Sequence, residues 1–331
     1  MIFNGGQVKK SIMTFTEISG VLNINKSPGM TSHDVVDAIR RVLRIRRVGH
    51  TGTLDPRATG VLPICVGKAT KIAQFLTQAD KEYLITMCLG ITTDTLDADG
   101  RVTSRVNNIS VTREEVEEVF GRFRGEIKQV PPLFSAKKHH GERLYRLARR
   151  GERVDRDPIP VKIYELELLD IEVPFIRFRV LCSKGTYARA LCDDIGRALG
   201  WGGHLYSLVR TRSGSFELKD SLTLTELEEV IRQSRLFQIL IPPSEALSHL
   251  PAIRILPEAS RAVLQGSSVV AGVIIDFPRD IPKGAWVRVL GYRKQLLCVA
   301  KTAMDPGQFP GCNPRQVALL PVRVFPAGKN S

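Results

Sequence analysis

Hydrophobic positions along the chain switch between a helical and a strand-like spacing. In "GVLNINKSPGMTSHDVVDAIRRVLR" a short apolar run meets a Pro-Gly turn, and apolar residues then recur every three or four positions. This predicts a strand, a turn and a helix capped by Ser32, with Val35, Val36, Ile39, Val42 and Leu43 on one face. Further on, "ATKIAQFLTQAD" predicts a helix, "KEYLITMCLG" a strand and "TTDTLDADGRV" a polar loop. "TREEVEEVFGRF" opens with a capping box, Thr112 to Glu115, ahead of an apolar stripe. "VKIYELELLDIEV" and "FIRFRVLCS" read as strands, and "GTYARALCDDIGRALG" becomes a helix after Gly185. "HLYSLVRTRSGSF" reads as a strand and turn, and "LTLTELEEVIRQ" as a helix.

The pattern changes after "IPPSEALSHLPAI", which places a boundary near residues 243–251. Beyond it a short helix, "PEASRAVLQG", precedes brief β-like runs in "AWVRVLGY", "QLLCVAKT" and "QVALLPVRVF". These predict a small β-rich domain over 251–326, after a larger unit over 20–245. Helices and strands do not alternate strictly, so the class is α+β rather than a doubly wound sheet. Residues 1–19 carry little pattern and read as an N-terminal extension, within which Met13 is a second candidate start.

Composition narrows the function. The chain holds 48 basic against 34 acidic residues, a formal charge of +14, which points to a polyanionic partner such as nucleic acid. Nine Lys or Arg against four Asp or Glu fall between Leu133 and Lys162, a stretch that reads as a loop and a short basic helix. Its alternative is a solvated charged loop. The six cysteines form no CxxC pair and mostly sit in apolar runs, so they read as buried, reduced thiols rather than zinc ligands. The first 20 residues lack the apolar run of a secretory signal, and no run approaches membrane-spanning length. The expectation is a cytoplasmic protein with no membrane contact.

One stretch holds candidate chemistry. "VGHTGTLDPRATGVLP", residues 48–63, places His50 and Asp55 among three glycines and three threonines. Asp-Pro and Gly-Thr are turn chemistry, so Asp55 can simply close a turn. A phosphate loop of the form GxxxxGK[ST] is absent, His50 and Asp55 are too few for a metal, and no GxSxG accompanies a serine nucleophile.

Read in order with "KSPGMTSHDVV", "KEY", "CSKGTYARALCDDIG" and "LVRTRSGSF", the loop resembles the TruB family of bacterial tRNA pseudouridine synthases. The resemblance covers roughly residues 20–245, and the tail resembles a PUA-like RNA-binding module. It implies a pseudouridine synthase fold with a mixed, largely antiparallel sheet flanked by helices. It also implies isomerisation of the T-loop uridine of tRNA (U55) by base flipping, without cofactor or metal. By resemblance Asp55 is the essential carboxylate, either a nucleophile on base or sugar or a base that removes a sugar proton. Either role needs it ionised where burial favours the neutral form, and Arg189 matches the family arginine that pairs with it. Tyr83 matches the stacking tyrosine, which can also move a proton late in the reaction.

Tyr187 and Leu208 match pocket walls by the same resemblance, and His50 matches a contact to the tRNA loop. Lys26 stands in the family's Lys-Pro segment, here Lys26-Ser27-Pro28-Gly29, and is expected among the substrate contacts. The basic stretch, about 133–152, corresponds to a thumb-like insert closing over the T arm. Lys137, Lys138, Arg143, Arg146, Arg149 and Arg150 would neutralise phosphates there. The resemblance also implies a monomer with no obligatory protein partner. Two other readings stay open: the catalytic subunit of a guide-RNA-directed synthase, and a tRNA-binding or tRNA-folding protein.

Overall fold

A computed structural model describes residues 18–135, 138–139, 141–143, 147, 150 and 154–325. The chain opens with β1 (Gly20–Lys26) and α1 (Ser32–Leu43), followed by β2 (Val48–His50) and β3 (Thr59–Val66). A short α2 (Ala73–Leu76), β4 (Lys81–Leu89), β5 (Ile91–Thr93), β6 (Val102–Arg105), α3 (Arg113–Phe123) and β7 (Gly125–Gln129) come next. A small hairpin, β8 (Lys138–His139) and β9 (Glu142–Arg143), precedes β10 (Ile159–Glu172) and β11 (Phe175–Cys182). Then follow α4 (Ala188–Ala198), β12 (Gly203–Ser213), β13 (Phe216–Glu217) and α5 (Leu224–Arg232).

Nine of these strands form one sheet ordered β1-β3-β12-β4-β11-β10-β7, with β2 paired to β3 and β13 to β12. Every pairing is antiparallel except β12 with β3, where Val209 faces Thr59 and Arg210 faces Gly60. The sheet is therefore mixed and largely antiparallel, and the α+β class holds. Its apolar face packs Leu22, Ile64, Ile85, Phe178 and Val180 against α1, α3 and α4, whose contributions include Ile39, Phe120 and Ile195. Burial of each such side chain contributes about 1.5–3 kcal/mol.

Local signals mostly hold, with four corrections. The cap of α1 is Thr31, not Ser32: the Thr31 side chain accepts from the Asp34 amide and Asp34 returns the bond. Ser32 is the first helical residue, and its hydroxyl instead accepts from the Leu54 amide at 2.8 Å. Val42 lies off the buried stripe formed by Val35, Val36, Ile39 and Leu43 and is only half-buried. The helix expected from "ATKIAQFLTQAD" is a 3-10 segment, Gly67–Ile72, that runs into the one-turn α2. Within the supposed polar loop, β5 and β6 pair across residues 94–101. The capping box of Thr112 and Glu115 forms as expected.

The rest of the chain builds a second sheet from β14 (Ala252–Ile255), β15 (Val269–Val270), β16 (Ile274–Asp276), β17 (Trp286–Leu290), β18 (Leu296–Thr302) and β19 (Val317–Val324). Their order is β15-β19-β18-β17-β14-β16. This sheet packs on the nine-stranded one: Leu290, Leu296, Val299 and Phe325 join Val21, Val61, Cys65 and Phe75 in one apolar cluster. Phe75 and Trp286 meet edge-to-face at 5.2 Å, and the Lys71 ammonium donates to the Val324 carbonyl. Five of the six cysteines are buried free thiols, and Cys312 is partly exposed. Burial pushes the Cys65 and Cys298 thiols up to about 12. Among the described residues no helix is long and apolar enough to cross a membrane.

Candidate active site

Strand register brings the chemistry together. Gly60 on β3 faces Arg210 on β12, and Arg210 faces Tyr83 on β4. The approach at Gly60 is so close, with φ at +98°, that any Cβ would collide with the Arg210 backbone. The loop carrying Asp55 is thereby delivered beside Tyr83 and Leu208.

Three buried polar anchors hold that loop. The Ser32 hydroxyl bonds the Leu54 amide, and the fully buried Arg210 donates to the carbonyls of Gly52 and Val61. Lys26 is fully buried, with its ammonium donating to the carbonyls of Ser27, Met30 and Pro56 at 2.7–2.9 Å. Burial lowers the Lys26 pKa to about 8, against the pull of Asp55. Its charged end points into the protein, so the expected substrate contact is replaced by a brace under the Asp55 loop.

Asp55 lines a cavity of about 200 Å³ with Tyr83, Phe134, Tyr187, Arg189 and Leu208. Arg189, on the first turn of α4, reaches it from 134 positions away in sequence. Its Nε lies 3.0 Å from Asp55 Oδ2, and an Nη donates to Oδ1 at 3.3 Å. The guanidinium has further partners: the Phe134 carbonyl at 2.9 Å, the Thr95 carbonyl at 3.4 Å and the Asp97 carboxylate at 3.4 Å. It thus ties together three loops and is itself only 10 % exposed, whereas the Asp55 side chain keeps 43 % exposure toward the cavity.

The electrostatics follow from this geometry. Desolvation holds the Asp55 carboxyl above its ordinary range, Arg189 pulls it back, and Asp97 pushes it up again. The Tyr83 phenol is driven up to about 12, mainly by burial and against the nearby Arg210, so it stays protonated at neutral pH. Tyr187 rises for the same reason. The cavity therefore offers one anchored carboxyl group, two neutral phenols and apolar walls that include Phe134 and Leu208.

The chain is similar to known proteins over nearly its whole length. Residues 40–188 match the model of the TruB family pseudouridylate synthase N-terminal domain. Residues 189–248 match the tRNA pseudouridylate synthase B C-terminal domain, and 251–321 match a PUA domain. The tRNA pseudouridine synthase B of Geobacillus thermodenitrificans is 48% identical over 257 residues, 76% of this chain and 85% of the relative. The protein of that name from Alkaliphilus oremlandii is 44% identical over 259 residues, 78% of this chain and 85% of the relative. The chain belongs to the TruB family of pseudouridylate synthases.

Solved structures agree with that membership. A chain of an H/ACA ribonucleoprotein bound to a substrate RNA containing 2'-deoxyuridine superposes with a TM-score of 0.75 at 30% identity, covering 93% of this chain and 85% of its own. The pseudouridine synthase fold and the C-terminal PUA domain are thus established for this TruB member. Of the expected site residues, Asp55, Tyr83, Tyr187, Arg189 and Leu208 share the cavity. His50 does not line it: it sits on β2, where its Nδ1 accepts the Gly52 amide at 3.3 Å.

In the basic insert, Lys137, Arg146 and Arg149 lie outside the described residues. Lys138 and Arg143 face each other across the β8–β9 hairpin, and Arg150 makes a two-pronged ion pair with Glu142. Asp97 and Arg210 are site residues that sequence reading passed over. Asp97 hid in an Asp-rich stretch that reads as a solvated turn, and Arg210 stands within the "LVRTR" run already noted for Leu208. Among the described residues no group of three His, Cys, Asp or Glu side chains is placed to hold a metal.

Proposed function

We propose that this TruB member converts the T-loop uridine of tRNA (U55) to pseudouridine, acting alone and without a cofactor. The observation that carries the reading is the Asp55 carboxylate, fixed by Arg189 on the wall of a cavity of about 200 Å³. A base paired or stacked inside folded RNA cannot enter such a space, so the uridine flips out. Tyr83 offers its ring to the flipped uracil, and Tyr187 and Leu208 form the other walls.

The isomerisation breaks the bond from C1′ to N1 of uracil and makes one from C1′ to C5. The C5 proton leaves and N1 gains one, so no electrons enter or depart. Asp55 supplies the carboxylate that starts this exchange, and Arg189 favours its ionised form and fixes its direction. Tyr83, neutral at physiological pH, stacks without adding charge. The family relatives carry the name tRNA pseudouridine synthase B, which supports tRNA as the substrate. The basic insert, 133–152, and the domain over 251–326 are read as RNA-holding parts, and the enzyme as a cytoplasmic monomer.

The test uses an unmodified tRNA transcript, purified protein and position-resolved detection of pseudouridine. The reading predicts one modified site, in the T loop, that disappears when that uridine is replaced by cytidine. Modification elsewhere would refute the T-loop assignment. No reaction on bare transcript would instead favour a guide-RNA-directed enzyme or a tRNA-folding protein.

A further inference from the structure

Among the described residues, a cluster of exposed cations stands away from the cavity. Arg41, Arg44, Arg46 and Arg47 run from the last turn of α1 into the turn before β2, and Lys68 stands just after β3. All five side chains are exposed, and none has a hydrogen-bond or ion-pair partner among the described residues. The nearby acid on α1, Asp37, is already taken by Arg40.

The fold makes these five cations one ridge. The Gly67 amide donates to the Arg47 carbonyl at 2.8 Å, and Val48 faces Val66 in the β2–β3 ladder. Lys68 therefore sits beside Arg47 although 21 positions separate them. Cations in the last turn of a helix stabilise its C-terminus, which accounts for Arg41 and Arg44. That explanation does not reach Arg46, Arg47 or Lys68, which lie outside the helix.

We propose that this ridge is a second RNA contact, which grips backbone phosphates of a duplex segment adjoining the loop whose uridine enters the cavity. This rests on the reading of the chain as a tRNA-modifying enzyme. Asp55 lies beyond the opposite end of β3, whose eight residues span roughly 20–25 Å. A ligand touching both places must be long, stiff and anionic, as an RNA stem is. The ridge also lacks tyrosine, tryptophan and phenylalanine between residues 40 and 50, so it has no platform for stacking single-stranded bases. Contacts of this kind set affinity and salt dependence, not sequence choice.

The test is the affinity of unmodified tRNA transcript across a potassium chloride series for wild type and the triple variant Arg46→Gln, Arg47→Gln, Lys68→Gln. Loss of three phosphate contacts should weaken binding and make the slope of log K against log salt shallower by about 2–3. Turnover at saturating tRNA should be unchanged, and so should binding of a short single-stranded oligonucleotide carrying only the T-loop sequence. An unchanged slope overturns the proposal. So does an equal loss on the oligonucleotide, which would mean the variant acts through the cavity. Binding slopes need no turnover, so a wild type that fails to modify tRNA refutes the functional reading separately from the ridge.

Discussion

Arg189 and Asp55 are joined by two contacts, Nε to Oδ2 at 3.0 Å and Nη to Oδ1 at 3.3 Å, across 134 positions of sequence. The pairing does more than neutralise charge. The same guanidinium also bonds the Phe134 and Thr95 carbonyls, so one planar group sets the distance between the Asp55 loop and two of its neighbours. A lysine presents a point charge and cannot copy that fork. Arg189→Lys should therefore lower kcat by about a hundredfold or more, the scale of losing one preorganised donor. Single-turnover kinetics at saturating tRNA measure this, and a loss confined to KM would contradict it.

Asp97 bears on the reaction through Arg189, which it meets at 3.4 Å. Asp97→Asn should leave tRNA binding within about twofold and reduce kcat by about tenfold, a loss of roughly 1.4 kcal/mol in the barrier. The same change also removes a negative neighbour that raises the Asp55 pKa. The residual activity should thus persist to lower pH than in wild type if Arg189 keeps its place. A pH profile of single-turnover rates for both proteins separates these effects.

The acid limb of the wild-type profile is itself a prediction. Burial and Asp97 hold the Asp55 carboxyl above its ordinary value of 3.8, with Arg189 opposing. A raised folded-state pKa means the proton is taken up sooner on acidification, so the carboxylate form is lost at a higher pH than for an exposed aspartate. kcat/KM should fall along an acid limb centred above 3.8. A limb at or below that value would show that Arg189 outweighs burial.

Lys26 should matter to stability more than to RNA affinity. Lys26→Met keeps the length of the side chain but leaves the Ser27, Met30 and Pro56 carbonyls without their donor. Orphaned buried acceptors cost about 1–3 kcal/mol each, partly offset by no longer burying a charge. The variant should unfold at lower urea and lose kcat as the Asp55 loop loosens, with tRNA affinity within about twofold. In wild type the Lys26 pKa of about 8 lies below its ordinary 10.5, so between these values the unfolded chain binds the extra proton. Lys26 should therefore make stability rise with pH across that window, a slope absent from Lys26→Met.

Local signals were legible because they act over short spans. The box of Thr112 and Glu115 and the strands around Tyr83 depend on neighbours a few positions apart. The site depends on contacts that no spacing reveals. Asp55 and Arg189 were linked only through resemblance to a family, and nothing in the sequence distinguishes Asp97 from its neighbours Asp94 and Asp99. Lys26 misled for a physical reason: lysine is usually solvated, and only three inward-pointing carbonyls make its burial tolerable. Ser32 and Thr31 are both able to cap a helix, and the choice was made by Leu54, whose amide takes the Ser32 hydroxyl.

In the proposed mechanism the 48–63 loop presents one carboxylate to a flipped uridine. Pseudouridine formation on an unmodified tRNA transcript, with wild type and Asp55→Asn side by side, tests it most directly. The swap keeps size and hydrogen-bonding capacity and removes the charge. Wild type is expected to modify the T-loop uridine, while the variant binds the same tRNA and forms no product. An Asp55→Asn protein that turns over at near wild-type rate would contradict it and reduce Asp55 to turn chemistry.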